Sequence, residues 1–362
     1  MWAYSGRIYG DKEMKRIFLE ECCEILDSMR VPITASDRRA GPYPYYGANG
    51  IQDHVADYIF DDELVLLAED GGNFGSKTKP IAYRVSGKCW VNNHAHVLKP
   101  KVDIDVDYLC YSLMFYNTEE LVNGATRQKL TQAAMRKMLI PQRTVQEQEN
   151  IVSELNKVQA IIRLRQQQFQ KLDELVKARF VEMFGDPELN PRGLPVLPWN
   201  AVFLTTTGKL DSNAMVENGR YPFFTCAKES YKIDSYAFDC EALLLAGNNA
   251  AGIYDVKHYK GKFNAYQRTY VLRLMNEKWS YILFKRQLED KLQYLQSQSK
   301  GTNTRYLTLG ILNELRFVVP PVAEQEQFAV FVEQTDKSKV AVQKALDEAQ
   351  LLFDSLMQKY FG

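Results

Sequence analysis

The feature that most constrains this chain is a tandem duplication of one unit of about 180 residues. Residues 58–68 (YIFDDELVLLA) and 236–246 (YAFDCEALLLA) are identical at seven of eleven positions, with an offset of 178 residues. Shorter matches lie at an offset of 177, and they join 147–149 to 324–326 and 184–185 to 361–362. Because this period is far longer than the roughly 20–50 residues of solenoid repeats, the sequence predicts two copies of one folded unit.

The first part of each copy has the mixed pattern of an α+β domain that is rich in loops. Two apolar runs have the length expected of buried strands, Leu64–Ala68 and Ala242–Ala246. Two segments have a helical pattern, Asp107–Phe115 and Trp279–Leu288, and Asp105 or Asp107 is the expected cap of the first. Trp90–Val91 and Val97–Leu98 flank a polar tip and are predicted to form a strand pair or a strand and a loop.

The second part of each copy is a long amphipathic segment with apolar residues at alternating steps of three and four. In the first copy this stripe comprises Ile151, Leu155, Val158, Ile162, Phe169, Leu172, Val176 and Met183, with Arg165 and Arg179 in register. In the second copy it comprises Phe328, Val332, Thr335, Val342, Leu346, Ala349, Phe353, Leu356 and Tyr360, with Lys339 in register. Such heptad stripes predict two helices, each about 57 Å long at 1.5 Å per residue, that need a partner. Because both helices carry the same stripe and a connector rich in Pro and Gly (residues 185–198) joins the copies, we expect them to pair as an antiparallel coiled coil.

Composition places the chain among soluble globular proteins and limits its partners. Lys+Arg and Asp+Glu both number 45, so the chain lacks the strongly basic character of the simplest nucleic-acid-binding proteins and has no polybasic membrane anchor. The six cysteines form no C-x-x-C pair and are expected to be buried free thiols. Residues 1–16 lack the apolar run of a signal peptide, and no segment is apolar enough to span a membrane, so a cytoplasmic protein without membrane contact is expected.

A loop rich in glycine and asparagine follows the buried strand of each copy. Gly71–Lys77 (GGNFGSK) lacks the ending of a P-loop, which disfavours nucleotide binding. Two interpretations remain open, an ordinary polar loop and a loop that faces a phosphate chain. The second copy has Gly247–Gly252 (GNNAAG) at the same place, which strengthens the phosphate interpretation. The candidate residues are Asn73, Lys77, Lys79, Asn248 and Asn249.

Further polar positions offer the residue types that read base edges, because Asn and Gln suit adenine and Arg suits guanine. In the polar tips these are Asn92, Asn93 and His94 in the first copy, and Asn264, Gln267 and Arg268 in the second. Segments 126–130 and 302–307 stand before the long helices and add Arg127, Lys129, Asn303 and Arg305. Ordinary surface polarity is the alternative for each residue. DNA binding is favoured if Arg127 and Arg305 gather with Lys77, Lys79 and Lys262 on one concave face.

Neither a metal site nor a catalytic site is predicted. His94-Ala95-His96 could present two imidazoles, but the second copy has Arg268-Thr269-Tyr270 there, which argues against a metal. Asp103, Asp105 and Asp107 are interpreted as a solvated edge and helix cap. The sequence contains no G-x-S-x-G or H-E-x-x-H motif, so it gives no reason to expect an enzyme.

This organisation resembles the specificity subunits of type I restriction–modification systems, and the resemblance covers essentially the whole chain. It rests on aromatic segments, on the leucine-rich strands with their Gly/Asn loops, and on the start of each long helix. The aromatic segments are Tyr43–Tyr46 and Tyr221–Phe224. The helix starts are Ile140-Pro141 followed by Glu147-Gln148, and Val319-Pro320-Pro321 followed by Glu324-Gln325. Each helix then ends in Phe-Gly. The first start has Gln142-Arg143 where the family usually has a second proline.

The resemblance implies a specific organisation and role. Target recognition domain 1 would occupy residues 1–142 and spacer helix 1 residues 143–185, while a linker with target recognition domain 2 would occupy 186–321 and spacer helix 2 residues 322–362. Each recognition domain would read one half of a bipartite site in double-stranded DNA, and the helices would set the gap between the halves. The helices would also dock two methyltransferase subunits, which restriction and translocase subunits join in phage defence. S-adenosylmethionine would bind to the methyltransferase partner, so this chain would need no cofactor.

Two alternatives remain open from the sequence. One is a coiled-coil scaffold that binds proteins and not DNA, and the other is a specificity subunit of a fused type II-like system. The base sequences recognised depend on loop geometry and are not predicted.

Overall fold

The computed structural model describes residues 15–124, 127–250 and 252–362, and the chain divides into two compact units. Unit 1 comprises the chain up to Arg165 together with Ala345–Gly362, and unit 2 comprises Gln166–Lys344. Thr126, from the segment before the first long helix, and Ala251, from the second Gly/Asn loop, lie outside the described residues. No helix in the described ranges is long and apolar enough to cross a membrane.

Unit 1 is a mixed α+β domain. Its strands are β1 (Arg16–Phe18), β2 (Cys23–Ile25), β3 (Ala40–Gly47), β4 (Gly50–Val55), β5 (Phe60–Ala68), β6 (Ala82–Val91), β7 (Ala95–Pro100), β8 (Val122–Asn123), β9 (Lys129–Leu130) and β10 (Leu139–Pro141). Its helices are α1 (Leu19–Cys22), the 3₁₀ turn Asp27–Met29, α2 (Val106–Met114), α3 (Gln132–Arg136) and the first half of α4 (Val145–Phe184).

The main sheet of unit 1 has the strand order β2-β7-β5-β6-β3-β4, in which only β3 and β6 run parallel. Leu64–Ala68 of the central strand β5 are completely buried, as expected of an apolar run with neighbours on both sides. The Asp105 carboxylate accepts a hydrogen bond from the Tyr108 amide and caps α2, which confirms the predicted helix and its cap. The segments around Trp90 and Val97 are strands, but they do not pair with each other, because β5 lies between β6 and β7.

Unit 2 repeats this domain. Its strands are β11 (Val196–Pro198), β12 (Phe203–Thr207), β13 (Tyr221–Phe224), β14 (Tyr231–Ile233), β15 (Phe238–Ala246), β16 (Asn248–Asn249), β17 (Val256–Ala265), β18 (Thr269–Leu274), β19 (Arg305–Tyr306) and β20 (Arg316–Val318). Its helices are α5 (Trp199–Val202), the 3₁₀ turn Ser212–Ala214, α6 (Tyr281–Asp290), α7 (Leu292–Gln298), α8 (Leu309–Asn313) and the first half of α9 (Val322–Phe361). The sheet order β12-β18-β15-β17-β13-β14 matches unit 1 strand for strand, and β13 and β17 form its parallel pair.

Each unit holds an antiparallel pair of helix halves from α4 and α9. In unit 1, Leu155 and Val158 pack with Phe353 and Leu356, and the Tyr360 hydroxyl donates a hydrogen bond to Glu154. Every residue of the predicted stripes is buried or half-buried, and their neighbours on the outer face are exposed.

In unit 2, the rings of Phe180 and Phe184 lie 5.7 and 5.6 Å from that of Phe328, and Lys339 forms a 2.5 Å ion pair with Asp173. In both units, later residues of α4 meet earlier residues of α9. The predicted antiparallel pairing is therefore confirmed within each unit.

The Glu-Gln pair at each helix start has a clear structural role. Gln148 is completely buried, its side-chain oxygen accepts from the amide of Asp105, and its amide group donates to the Asp103 carbonyl. Gln325 is equally buried and accepts from the amide of Ser280, the residue that caps α6. Each glutamine thus ties a long helix to the start of a helix in the adjoining domain.

Candidate nucleic-acid interface

Polar loops of unit 1 meet where β5 ends. Asp70 and Lys129 form an antiparallel bridge, and the Gly71 amide donates to the Gln128 carbonyl at 3.2 Å. Asn49, at the tip of the β3–β4 hairpin, donates its side-chain amide to the Gly71 carbonyl at 2.9 Å. Gly71 has φ of +62°, a conformation that favours glycine. Strand ends from three parts of the sequence therefore form one polar surface, the loop end of unit 1.

An exposed Arg–Asp–His cluster lies on this loop end. Oδ1 of Asp70 accepts from the Arg127 guanidinium at 2.8 Å and lies 2.6 Å from Nδ1 of His94. The Arg127 side chain is 61 % exposed and runs over Gly71, so close that a Cβ there would meet its Nε at 3.3 Å. Three of the five guanidinium N–H donors at most face Asp70 and His94, and the exposed remainder could meet a phosphate or a base.

A buried charged network lies beneath the cluster. His96 has no exposed surface, and its Nδ1 lies 2.6 Å from Oδ2 of Asp27 while its Nε2 lies 2.9 Å from the Leu130 carbonyl. Since a carbonyl oxygen can only accept, Nε2 is the donor in that bond. Arg30 donates to Glu69 at 2.6 Å, and Lys129 pairs with the same carboxylate at 3.0 Å. The network thereby anchors the segment that carries Arg127.

The carboxylates of this network are held in their charged form. Burial alone would raise the pKa of Asp27, but hydrogen bonds from His96 and the Val97 amide outweigh it and lower that pKa. Burial likewise acts to raise the pKa of Glu69, and Arg30 and Lys129 more than reverse the effect. Both groups therefore carry charge well into the acidic range.

Asp27, Glu69 and His96 bring three potential metal ligands within 4.8 Å of one another. The sequence expectation that His94 and His96 would share a strand face is wrong, because His94 contacts Asp70 and His96 contacts Asp27. The guanidinium of Arg30 lies 3.5 Å from Asp27 and 2.6 Å from Glu69. Since this cation already compensates both carboxylates, the cluster is better suited to structure than to metal binding.

The loop end of unit 2 has the same backbone connections with different side chains. The Gly247 amide donates to the Arg268 carbonyl at 2.8 Å, and β16 pairs with β19 through Asn248 with Tyr306 and Asn249 with Arg305. The Tyr270 hydroxyl donates to the Leu307 carbonyl at 3.0 Å. Arg305 runs over Gly252, whose φ is +68°, and donates to the Gln296 carbonyl. An arginine therefore covers a glycine of positive φ in both units.

The predicted lysines do not join these arginines. Lys77 lines a groove of about 640 Å³ with Tyr111, Phe115 and the end of α9, on the side of the glycine loop that faces the helices. Lys262 is paired with Asp239 near the start of β15, seven residues along that strand from Ala246 and the loop end. Within each unit the expected gathering of lysine and arginine on one face is therefore wrong, because the strands carry the two residue types to different ends.

Two asparagines predicted to lie on polar tips are buried. Asn92 is 3 % exposed, donates to Gln52 and accepts from the His94 amide. Asn264 is 4 % exposed and donates to the Ser235 carbonyl. Their exposure was expected because asparagine is polar, and it is wrong because these amides satisfy turn backbone that the sheet buries.

The remaining candidates stay predictions as DNA contacts. Six of them are exposed, Asn93, Lys79, Lys129, Gln267, Arg268 and Asn303, while Asn73, Asn248 and Asn249 are half-buried. Sequence reasoning missed His96 and Tyr270 as loop anchors. The signal was their shared position at an offset of 174, but a buried polar residue and an exposed one look alike in a single sequence.

The fold defines a class of protein in which one α+β domain with polar loop ends occurs twice, each copy followed by a long helix. The chain belongs to the family of the type I restriction modification DNA specificity domain, which matches residues 11–174 and 202–349.

Two curated relatives and two solved structures are similar to the chain. The specificity subunit of the Escherichia coli type I restriction enzyme EcoDI is 36 % identical over 160 residues, which is 42 % of this chain and 35 % of that protein. A putative specificity subunit from Haemophilus influenzae, S.HindORF215P, is 37 % identical over 143 residues, 40 % of this chain and 37 % of that protein. The matches thus span just over a third of the length of these relatives.

The solved structures share the fold. The crystal structure of a type I restriction–modification S subunit from M. genitalium has a TM-score of 0.64 at 14 % identity, over 98 % of both chains. A structure on complex assembly and conformational transition of the type I R-M system has a TM-score of 0.51 at 16 % identity, over 96 % of this chain and 97 % of that one.

Proposed function

We propose that this chain is the DNA-recognition subunit of a type I restriction–modification complex and that each unit reads one half of a bipartite site. One observation carries the proposal: equivalent positions of the two loop ends share a backbone framework but differ in side chain. Asp70, His94 and Lys129 of unit 1 stand where unit 2 has Asn248, Arg268 and Tyr306. Constant backbone with variable polar side chains suits the reading of two different half-sites.

The chain acts by binding, and its complex carries out the chemistry. The loop ends hold charged and amide groups suited to hydrogen bonding, and S-adenosylmethionine is assigned to methyltransferase partners. Two such subunits would dock on the paired helices, which expose apolar residues outside the shared stripe, among them Leu164, Val340 and Leu351. Restriction and translocase subunits would join this core in the cytoplasm.

The alternative scaffold role is not favoured by any of these features. A scaffold needs the helices but gives no reason for two polar loop ends with an arginine over a positive-φ glycine in each. Family membership supports the type I role over the type II-like arrangement.

Methylome sequencing tests the function directly. A host that expresses this chain with its methyltransferase subunit should acquire methylation at one split motif, with two half-sites separated by a fixed unread gap. A stable complex that creates no methylated motif would contradict DNA recognition and return the scaffold role.

A matched insertion tests whether the helices set the gap. Because the helix halves pair antiparallel in each unit, one heptad must be added to both helices, after Arg165 and after Lys344, where one unit passes into the other. Seven residues add about 10 Å of helix, or about three base pairs of DNA. The methylated motif should keep both half-sites and gain a longer gap. A changed half-site sequence, or the original gap, would contradict the spacer role.

A further inference from the structure

A cluster of two tyrosines and one lysine occurs on the surface of both units, away from the loop ends. In unit 1 the rings of Tyr43 and Tyr58 lie 5.0 Å apart, and Nζ of Lys88 lies 4.6 Å from the centre of the Tyr58 ring. In unit 2 the rings of Tyr221 and Tyr236 lie 5.1 Å apart, and Nζ of Lys262 lies 4.6 Å from the Tyr236 ring. We call these six residues the Tyr–Tyr–Lys clusters.

The same elements build both clusters. The first tyrosine comes from β3 or β13, the second stands two residues before β5 or β15, and the lysine lies on β6 or β17. Tyr58 and Tyr236 are 36 % and 45 % exposed, and both lysines are exposed. The arrangement is therefore preserved between two units whose loop ends differ.

The chemistry of the clusters fits an anion. In the described parts of the chain neither lysine has a carboxylate within ion-pair distance, although Asp61 and Asp239 stand opposite them on the neighbouring strand. Each ammonium hydrogen-bonds the phenol beneath it, which raises the lysine pKa and leaves the phenol proton available to another acceptor. Lysine and tyrosine hydroxyls are common partners of DNA phosphates.

We infer that the Tyr–Tyr–Lys cluster of each unit contacts a phosphate of the DNA backbone beside its half-site. The inference rests on the proposed function. The two half-sites can differ in every base, but their sugar–phosphate backbones are chemically alike. A surface that is the same in both units while the loop ends differ is therefore suited to the part of the DNA that is the same. The cluster would position each unit on the duplex without contributing to base choice.

The salt dependence of binding tests this inference. The probe is a labelled duplex that carries the methylated split motif, and the protein is the complex of this chain with its methyltransferase subunits. The variants are Lys88→Gln, Lys262→Gln and the double variant. Each single substitution should lower the slope of log Kd against log salt by about one, and the double by about two. Binding to a duplex without the motif should weaken by the same factor, and the methylated motif should stay unchanged.

Exposed lysines on the same strands or their neighbours supply the controls. Lys99 pairs with Asp62 at 2.8 Å in unit 1, and Lys260 pairs with Glu241 at 3.0 Å in unit 2, so Lys99→Gln and Lys260→Gln remove equal charge outside the clusters. Tyr58→Phe and Tyr236→Phe should weaken binding with little change in slope, because they remove a hydroxyl and no charge.

Three outcomes would overturn the inference. Slopes equal to those of the control variants would exclude a phosphate contact. Loss of methyltransferase subunits from the Lys88→Gln and Lys262→Gln complexes, seen as a lower mass by light scattering, would make the clusters protein-docking surfaces. A shift in the methylated motif would make them base readers. Failure of the proposed function itself would look different, because the wild-type complex would then methylate no split motif.

Discussion

The two units anchor the same carbonyl of the same loop by different means. In unit 1 the imidazole of His96 holds the Leu130 carbonyl and leans on Asp27, and the neighbouring Glu69 is compensated by Arg30. In unit 2 the Tyr270 hydroxyl alone holds the Leu307 carbonyl. The amide side of the loop is the same in both, since Leu130 donates to the Glu69 carbonyl at 2.7 Å and Leu307 to the Gly247 carbonyl at 2.8 Å.

This difference shows how a duplicated domain keeps its loop geometry while its chemistry diverges. A neutral phenol needs only one partner, so it places few demands on its surroundings. An imidazole beside a buried carboxylate requires a set of compensating charges, which Arg30 and Lys129 help to supply. Unit 1 has therefore a loop end whose stability depends on charge, and unit 2 has one that does not.

The largest expected contrast comes from replacing each anchor with phenylalanine. His96→Phe leaves Asp27 buried without its nearest partner and should lower the free energy of unfolding by about 3–5 kcal/mol. Tyr270→Phe removes one hydroxyl and leaves one carbonyl unsatisfied, a loss of about 1–3 kcal/mol. Urea unfolding measures both losses, and hydrogen exchange at the amides of Leu130 and Leu307 assigns each loss to a unit.

A second substitution separates charge from packing in this contrast. Adding Asp27→Asn to His96→Phe removes the uncompensated carboxylate and should recover part of the lost stability. Equal losses for His96→Phe and Tyr270→Phe, with no recovery in the double variant, would show that the anchors differ only in shape.

The sequence predicted the parts of the fold that periodicity and duplication determine. The buried strands, the stripes of α4 and α9 and the Asp105 cap follow from spacing alone, because each depends on residues that are close along the chain. The network of unit 1 does not follow from spacing, since Asp27, Glu69, His96 and Leu130 are joined only by the sheet order. The burial of Asn92 and the displacement of Lys262 from the loop end were missed for the same reason.

Acid should weaken unit 1 through this network. The pKa of Asp27 is lowered in the folded protein, so its contribution is fully present above the ordinary aspartate pKa of about 3.9 and is lost as the pH falls through the lower folded value. Asp27→Asn should therefore cost about 1.5–3 kcal/mol at pH 7, and this cost should shrink below about pH 4.

Unit 2 supplies the comparison for this titration. Burial raises the pKa of Tyr270, so its hydroxyl keeps its proton from pH 7 downwards. The cost of Tyr270→Phe should therefore stay constant over the range in which the cost of Asp27→Asn declines. Parallel pH curves for the two variants, measured by urea unfolding, would contradict the assignment of charge dependence to unit 1.

The smallest expected effects concern base choice and should leave folding untouched. Arg268 is exposed in the β17–β18 turn, and His94 occupies the equivalent turn of unit 1. Arg268→Ala should relax the half-site that unit 2 reads, at the lower end of the ~1–3 kcal/mol expected of a bidentate base contact, and His94→Ala should relax the other half-site less. Methylome sequencing of each variant measures the change, and Asn303→Ala, exposed in the same unit as Arg268, is the control for general loss of contact. If both variants relax the same half-site, or if Arg268→Ala relaxes both equally, the loop ends do not divide the site between them. The arginine–glycine contacts would then have to be assigned to the backbone and the reading of bases sought elsewhere on each sheet.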